Sequence, residues 1–184
     1  MALTERPSDW KFVVPVPDGK DASEKLTRSW TVELNEPVSR GGLEFPLTKP
    51  LNVTVETQRL PQGVDVFIKI EGEVAAECRR CCAPLTVAIQ EDFMYSYILQ
   101  SDDAGTGQEE EEFYDSDRVV LPVSRLGTNL DAADLVWECL VESLPLYAEC
   151  PDECAPAVVS GEQTDPRFLA LADLLEQEKH KGGK

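Results

Sequence analysis

Five of the six cysteines of this chain fall in two tight groups, Cys78-Arg79-Arg80-Cys81-Cys82 and Cys150-Pro151-Asp152-Glu153-Cys154. The first is a C-x-x-C with an extra thiol and the second a C-x-x-x-C. Two close pairs of thiolates are a common way to build a tetrahedral structural zinc site, each short turn supplying two soft ligands to a closed shell. The spacing selects Cys78, Cys81, Cys150 and Cys154 as the ligands of one zinc ion. Four thiolates around Zn2+ carry a formal charge of about −2. Arg79 and Arg80, inside the first group, offset part of that charge. Asp152 and Glu153 hold the matching place in the second group and argue mildly against tight binding.

Three other readings of the same cysteines stay open. Free thiols pack like small hydrophobes, so the pairs are also readable as inert core. Disulfides are disfavoured in a reducing cytoplasm. A Cys78/Cys81 redox dithiol is the remaining choice, yet a thioredoxin-type motif opens a helix whose N-terminus lowers the thiol pKa. Here Pro84 and an extended run from Leu85 to Ile89 follow instead. Cys82 and Cys139 lie on apolar stretches and are expected to pack.

The elements that must position these residues are legible from periodicity. Leu51, Val53 and Val55 alternate with polar residues, and after Pro61-Gln62-Gly63 so do Val64, Val66, Ile68 and Ile70, with Phe67 the one apolar exception. Two period-two runs around a Pro/Gly break predict a β-hairpin. A third run follows the first cysteines, through Leu85, Val87, Ile89, Phe93, Tyr95 and Tyr97. Trp30, Val32 and Leu34 share one face of a further strand, in a Pro-rich segment, 1–50, otherwise limited to short extended pieces. The period changes to about 3.6 over 131–144. There Asp131, Asp134, Glu138 and Glu142 form a polar stripe, and Leu135, Val136, Trp137, Cys139, Leu140 and Val141 cover the rest. Asp165 as N-cap and Pro166 at the first helical position open a second helix, with Phe168, Leu171, Ala172 and Leu175 on its apolar face. The predicted class is α+β: a mainly antiparallel sheet, open or closed into a barrel, with two helices from the C-terminal half packed on it. One domain is expected to span 1–184. Residues 102–117 hold eight acids and no Lys or Arg and read as a flexible, solvated loop. Residues 179–184, with the chain's one histidine, His180, read as a disordered tail.

Charge and composition exclude several function classes. Lys and Arg number 17 against 35 Asp and Glu, a net charge of −18. Binders of bare nucleic acid cluster Lys and Arg on phosphates, and here no basic run exceeds Arg79-Arg80. Such a surface attracts basic partners, among which ribosomal proteins are abundant. No apolar run approaches the ~18 residues of a membrane span. Glu5, Arg6, Asp9 and Lys11 interrupt the first residues, so no signal peptide is expected and the cytoplasm is the expected compartment. Phosphate-loop, dinucleotide and nucleophile-elbow motifs are absent from the sequence. With a single histidine in the tail, a Ser–His or Cys–His pair is nearly excluded, so no enzyme is expected and no small-molecule substrate.

Three stretches, in order over 51–175, resemble the YceD family of large-subunit ribosomal RNA accumulation proteins. Gly72-Glu73-Val74 leading to Cys78-Arg79-Arg80-Cys81-Cys82-Ala83-Pro84 is similar to the family's G-x-V…C-x-R-C-L-x-P pattern, with Arg80 in place of its Arg. Asn129-Leu130-Asp131 through Leu144-Pro145-Leu146 to Cys150 and Cys154 resembles its D-L…E…L-x-L-P…C…C stretch, with Glu138 or Glu142 in the acid's place. Asp165-Pro166-Arg167-Phe168-Leu169, with Leu171 and Leu174, resembles its D-P-R-W/F…L…L end. Cys82 stands where the family has Leu. Ala155-Pro156-Ala157 stands where many relatives have Gly-Leu-Cys, which weakens the case for metal at the second pair. The resemblance implies a bacterial-type, non-enzymatic ribosome-biogenesis role in the synthesis, processing or stability of large-subunit ribosomal RNA. Contact with that RNA's precursor or with a basic ribosomal protein is implied too. The runner-up is a cytoplasmic thiol-redox protein using the Cys78/Cys81 dithiol.

Overall fold

Residues that alternate apolar and polar put all their apolar side chains on one face of a strand, and pairing buries that face. In the computed structural model, which describes residues 2–21, 23–99, 119–151 and 154, this pairing dominates. The strands are β1 (Val13–Pro15), β2 (Lys25–Val32), β3 (Val38–Arg40), β4 (Leu43–Phe45), β5 (Leu47–Leu60), β6 (Gly63–Glu77), β7 (Pro84–Leu99), β8 (Val119–Val123) and β9 (Asn129–Asp131). One helix, α1 (Ala133–Ser143), follows. The predicted hairpin is β5–β6, closing at Leu60↔Gly63 and pairing Val53 with Ile70 and Val55 with Ile68. The third run is β7, paired with β6 from Gly63↔Ile98 to Glu77↔Pro84. The five-stranded sheet has the order β2-β5-β6-β7-β8. Among the described residues it is open, since its edge strands β2 and β8 do not pair with each other.

Leu51, Val53 and Val55 of β5 and Val64, Val66, Ile68 and Ile70 of β6 are buried on one face of this sheet. The N-terminal segment lies on that face rather than apart from it. Trp30 of β2, Phe12, Trp10 and Trp137 of α1 form a chain of edge-to-face aromatic contacts, with centroids 5.3, 5.2 and 5.9 Å apart. That is the geometry the ring quadrupoles favour. Thr57, fully buried on the same face, donates its hydroxyl to Pro15 O at 2.7 Å. On the opposite face Ser96 Oγ donates to Asp65 Oδ1 at 2.5 Å, and both residues are buried.

The helix begins two residues later than the periodicity suggests. Asp131 belongs to β9, which pairs antiparallel with β1. One of its carboxylate oxygens accepts the N–H of Phe12 at 3.0 Å and that of Ala133 at 3.1 Å. Asp131 thus ties the first turn of α1 to the N-terminal segment. Removing an acceptor shared by two backbone donors costs about 1–2 kcal/mol. Asp131→Ala is therefore expected to lower the free energy of unfolding by that amount, read as a lower urea midpoint at constant slope, and Asp131→Asn, which keeps an acceptor, by less. Leu135, Val136, Cys139 and Leu140 are buried, whereas Asp134, Glu138 and Glu142 are exposed, as the stripe predicts.

One expectation needs correction. The α+β class with two helices gives way to a mainly β architecture with one helix among the described residues. The long strands β5, β6 and β7, of 14, 15 and 16 residues, run past the stretches where alternation is clean. Register shifts between Leu47 and Asn52 let the β5–β6 pairing continue there. The helix expected from Asp165 lies outside the described residues, as do the acidic loop 102–117 and the tail 179–184. The sheet is mainly antiparallel, as expected, with β8 running parallel to β7 from Tyr95↔Val119 to Leu99↔Val123. No described helix is long and apolar enough to cross a membrane.

Candidate metal centre

Strands β6 and β7 continue as a ladder until Glu77 and Pro84, and the first cysteine group fills the six-residue tip between them. The tip is held by its own backbone: Cys78 N–H donates to Ala83 O at 2.9 Å and Cys82 N–H to Cys78 O at 2.8 Å. Inside this turn the Arg80 N–H points at Cys78 Sγ, 3.4 Å away. Cys82 takes the left-handed position, φ 58°, that lets the chain re-enter β7. Its side chain is exposed, so it does not pack as the sequence suggested. Cys139 does pack: it is fully buried in α1, 3.4 Å from the Tyr95 hydroxyl, and burial pushes its thiol up to about 12.

The second group arrives on the chain leaving α1. Leu144 is buried and extended, and Pro145 bars its return to helical conformation. Arg40 of β3 donates to the carbonyls of Glu142 and Leu144, groups that a helix end leaves without partners. The next residues cross the β6–β7 tip. Arg79 N–H donates to Ala148 O at 2.9 Å, the Arg79 guanidinium meets Glu149 at 2.5 Å and lies 4.6 Å over the Tyr147 ring. Arg80 reaches the far end, donating to Cys154 O at 2.9 Å.

These contacts bring the four predicted cysteines to one point. The Sγ atoms of Cys78, Cys81, Cys150 and Cys154 lie within 4.8 Å of one another. Cys78 faces Cys154 at 3.7 Å and Cys81 faces Cys150 at 3.5 Å. A tetrahedron with Zn–S bonds of about 2.3 Å has S···S edges of about 3.8 Å, so the donor set fits an ion of that kind. Cys78 is buried and the other three half-buried. Backbone N–H groups aimed at Cys78, that of Cys81 first and those of Arg80 and Cys150 after it, hold its thiol down near 6. Hydrogen bonding to the sulfurs of Cys81 and Cys78 pushes Cys150 up to about 12, and burial raises Cys154. Sequence reasoning missed Tyr147 and Glu149, whose one available signal was their place just before Cys150. Asp152 and Glu153 lie outside the described residues.

Fold and site together define a mainly β domain in which a hairpin tip and the limb after a helix converge on four thiols. The chain belongs to the YceD family, whose model, described as large ribosomal RNA subunit accumulation protein YceD, matches residues 66–175, more than half of its 184 residues. The matched span contains both cysteine pairs and α1 and leaves out β1 to β5. No curated protein and no solved structure matches the chain. The family's description names the accumulation of an RNA and no reaction.

Proposed function

We propose that this protein is a non-enzymatic ribosome-biogenesis factor that supports the synthesis, processing or stability of large-subunit ribosomal RNA in the cytoplasm of a bacterial-type cell. The carrying observation is the family match over the part of the chain that holds the thiol site and α1. A structural zinc held by Cys78, Cys81, Cys150 and Cys154 fixes the limb after α1 to the β6–β7 tip, and its four-thiolate shell leaves no open position for chemistry. The route to the RNA is a basic ribosomal protein on the pre-ribosome, attracted by an excess of 18 negative charges.

Depletion of the protein is expected to lower large-subunit ribosomal RNA relative to small-subunit RNA, and re-expression to restore it. Equal loss of both RNAs, or of neither, sinks the proposal. Purified protein is expected to retain basic ribosomal proteins from a ribosomal extract, and less of them as salt rises and shortens the reach of charge. Retention of naked RNA alone, or retention indifferent to salt, rejects the electrostatic route. The thiol-redox alternative draws on the depressed Cys78 thiol. It predicts a Cys78/Cys81 dithiol that exchanges with glutathione disulfide while the protein carries no metal.

A further inference from the structure

Resting on the metal reading above, we propose that Arg79 and Arg80 are positioning residues of the centre. Between them they carry the Cys150/Cys154 limb onto the Cys78/Cys81 turn and hold it in register. The two residues divide the limb, Arg79 by backbone and side chain and Arg80 by side chain. Arg79 takes its near end, through a backbone bond to Ala148, an ion pair with Glu149 and the face of Tyr147. Arg80 takes its far end through the carbonyl of Cys154 itself. The limb is thus pinned on either side of Cys150, and neither attachment passes through a sulfur.

The two residues also act from inside the first turn. The Arg80 amide points at Cys78 Sγ while its guanidinium holds Cys154, whose sulfur lies 3.7 Å from that of Cys78. One residue therefore orients two thiols that come from opposite ends of the site. Groups in this position around a metal tune affinity because they fix ligand geometry and offset ligand charge. Arg80 brings its guanidinium charge to the backbone of a ligand, the Cys154 carbonyl, whereas the charge of Arg79 is matched by Glu149 and serves to hold the limb. A third device is planarity. A guanidinium offers a rigid fork of donors, and a lysine ammonium in its place keeps the charge and loses the geometry.

The test uses the full chain, loaded with zinc or with cobalt(II) as a spectroscopic stand-in, and compares Arg79→Ala, Arg80→Ala, Arg80→Lys and the double alanine variant. Each alanine change is expected to weaken zinc binding, read by competition with a chromophoric chelator, by about 10–100-fold. Circular dichroism and tryptophan emission stay unchanged, because the replaced residues lie in the turn beyond the last β6–β7 pair and the tryptophans pack with one another and with Phe12. Arg80→Ala is also expected to shift the cobalt absorption bands and weaken the sulfur-to-cobalt charge transfer, since Cys154 loses its anchor. Arg80→Lys recovers part of the affinity and less of the band position. Wild-type spectra and affinity in all four variants overturn the positioning role while leaving the metal centre standing. A wild-type chain that takes up neither ion overturns both.

Discussion

Cys78→Ser is expected to abolish stoichiometric metal binding and to free the limb that ends at Cys154, leaving the five-stranded sheet folded. Cys78 is the most buried of the four sulfurs, 1% exposed. It meets Cys154 directly and receives the Arg80 N–H. Surrounding backbone donors lower its thiol to about 6, whereas hydrogen bonding to the sulfurs of Cys81 and Cys78 raises that of Cys150 to about 12. A metal that binds all four displaces the protons they carry. A serine hydroxyl offers no thiolate in the place of Cys78. In isolated zinc-finger peptides the ion is worth about 10–16 kcal/mol of apparent folding free energy, and those peptides unfold without it. This chain has a core of its own, with Val53, Val55, Val66, Ile70 and Leu140 fully buried. Loss of the ion therefore falls on the limb. Elemental analysis should drop from about one zinc per chain, the content of a single four-thiolate site, to a small fraction of that. Hydrogen exchange at the Arg79 amide, bonded to Ala148 O, should accelerate by orders of magnitude while amides of β5 and β6 stay protected. A variant that keeps its zinc removes Cys78 from the ligand set. Acceleration that extends through β5 and β6 would show that the ion supports the whole domain.

What the sequence disclosed and what it hid have separate physical causes. Clean alternation in β5, β6 and β7 was legible because strict period two has no other way to bury its apolar set. The paired cysteines were legible because ligands on one turn must be close in sequence. The parallel seating of β8 on β7 carries no local signal. It depends on how a long connection returns, and Val119 to Val123 look the same in either direction. The N-terminal residues hid for a different reason. Pro7, Pro15 and Pro17 mark short extended pieces, and such a stretch reads as surface loop. Yet Trp10, Phe12 and Val14 fill the space between sheet and helix. Cys82 misled because an apolar-looking run of Cys, Ala and Pro does not reveal which of its residues sits at the left-handed position of a turn. Asp131 read as one member of a charged stripe, whereas its carboxylate is spent on two backbone donors, one of them 119 residues away.

Gly63→Ala is expected to cost about 3 kcal/mol, the upper end of what overpacking does. Gly63 closes the Pro61-Gln62-Gly63 break of the predicted hairpin, and glycine commonly serves at such breaks through its freedom of φ. Its backbone needs no such freedom: the described glycines with positive φ are Gly19, Gly41 and Gly42. What Gly63 supplies is room. It opens β6 opposite Ile98, and a Cβ there would stand 1.9 Å from the Tyr97 carbonyl oxygen and 2.9 Å from the carbon, both main-chain atoms of β7. No rotamer change relieves a clash with backbone, so β6 and β7 must separate locally. That strains the bond from Leu99 N–H to Gln62 O and the buried Asp65–Ser96 pair beside it. Gly41→Ala is the control. Gly41 has φ 60° and nothing within 4 Å of its would-be Cβ, so its cost is backbone strain alone, about 1 kcal/mol. Urea unfolding should show the Gly63 midpoint falling about three times as far as that of Gly41, at constant slope. Equal shifts would mean that β7 yields readily at Tyr97, and that Gly63 is there for the turn after all.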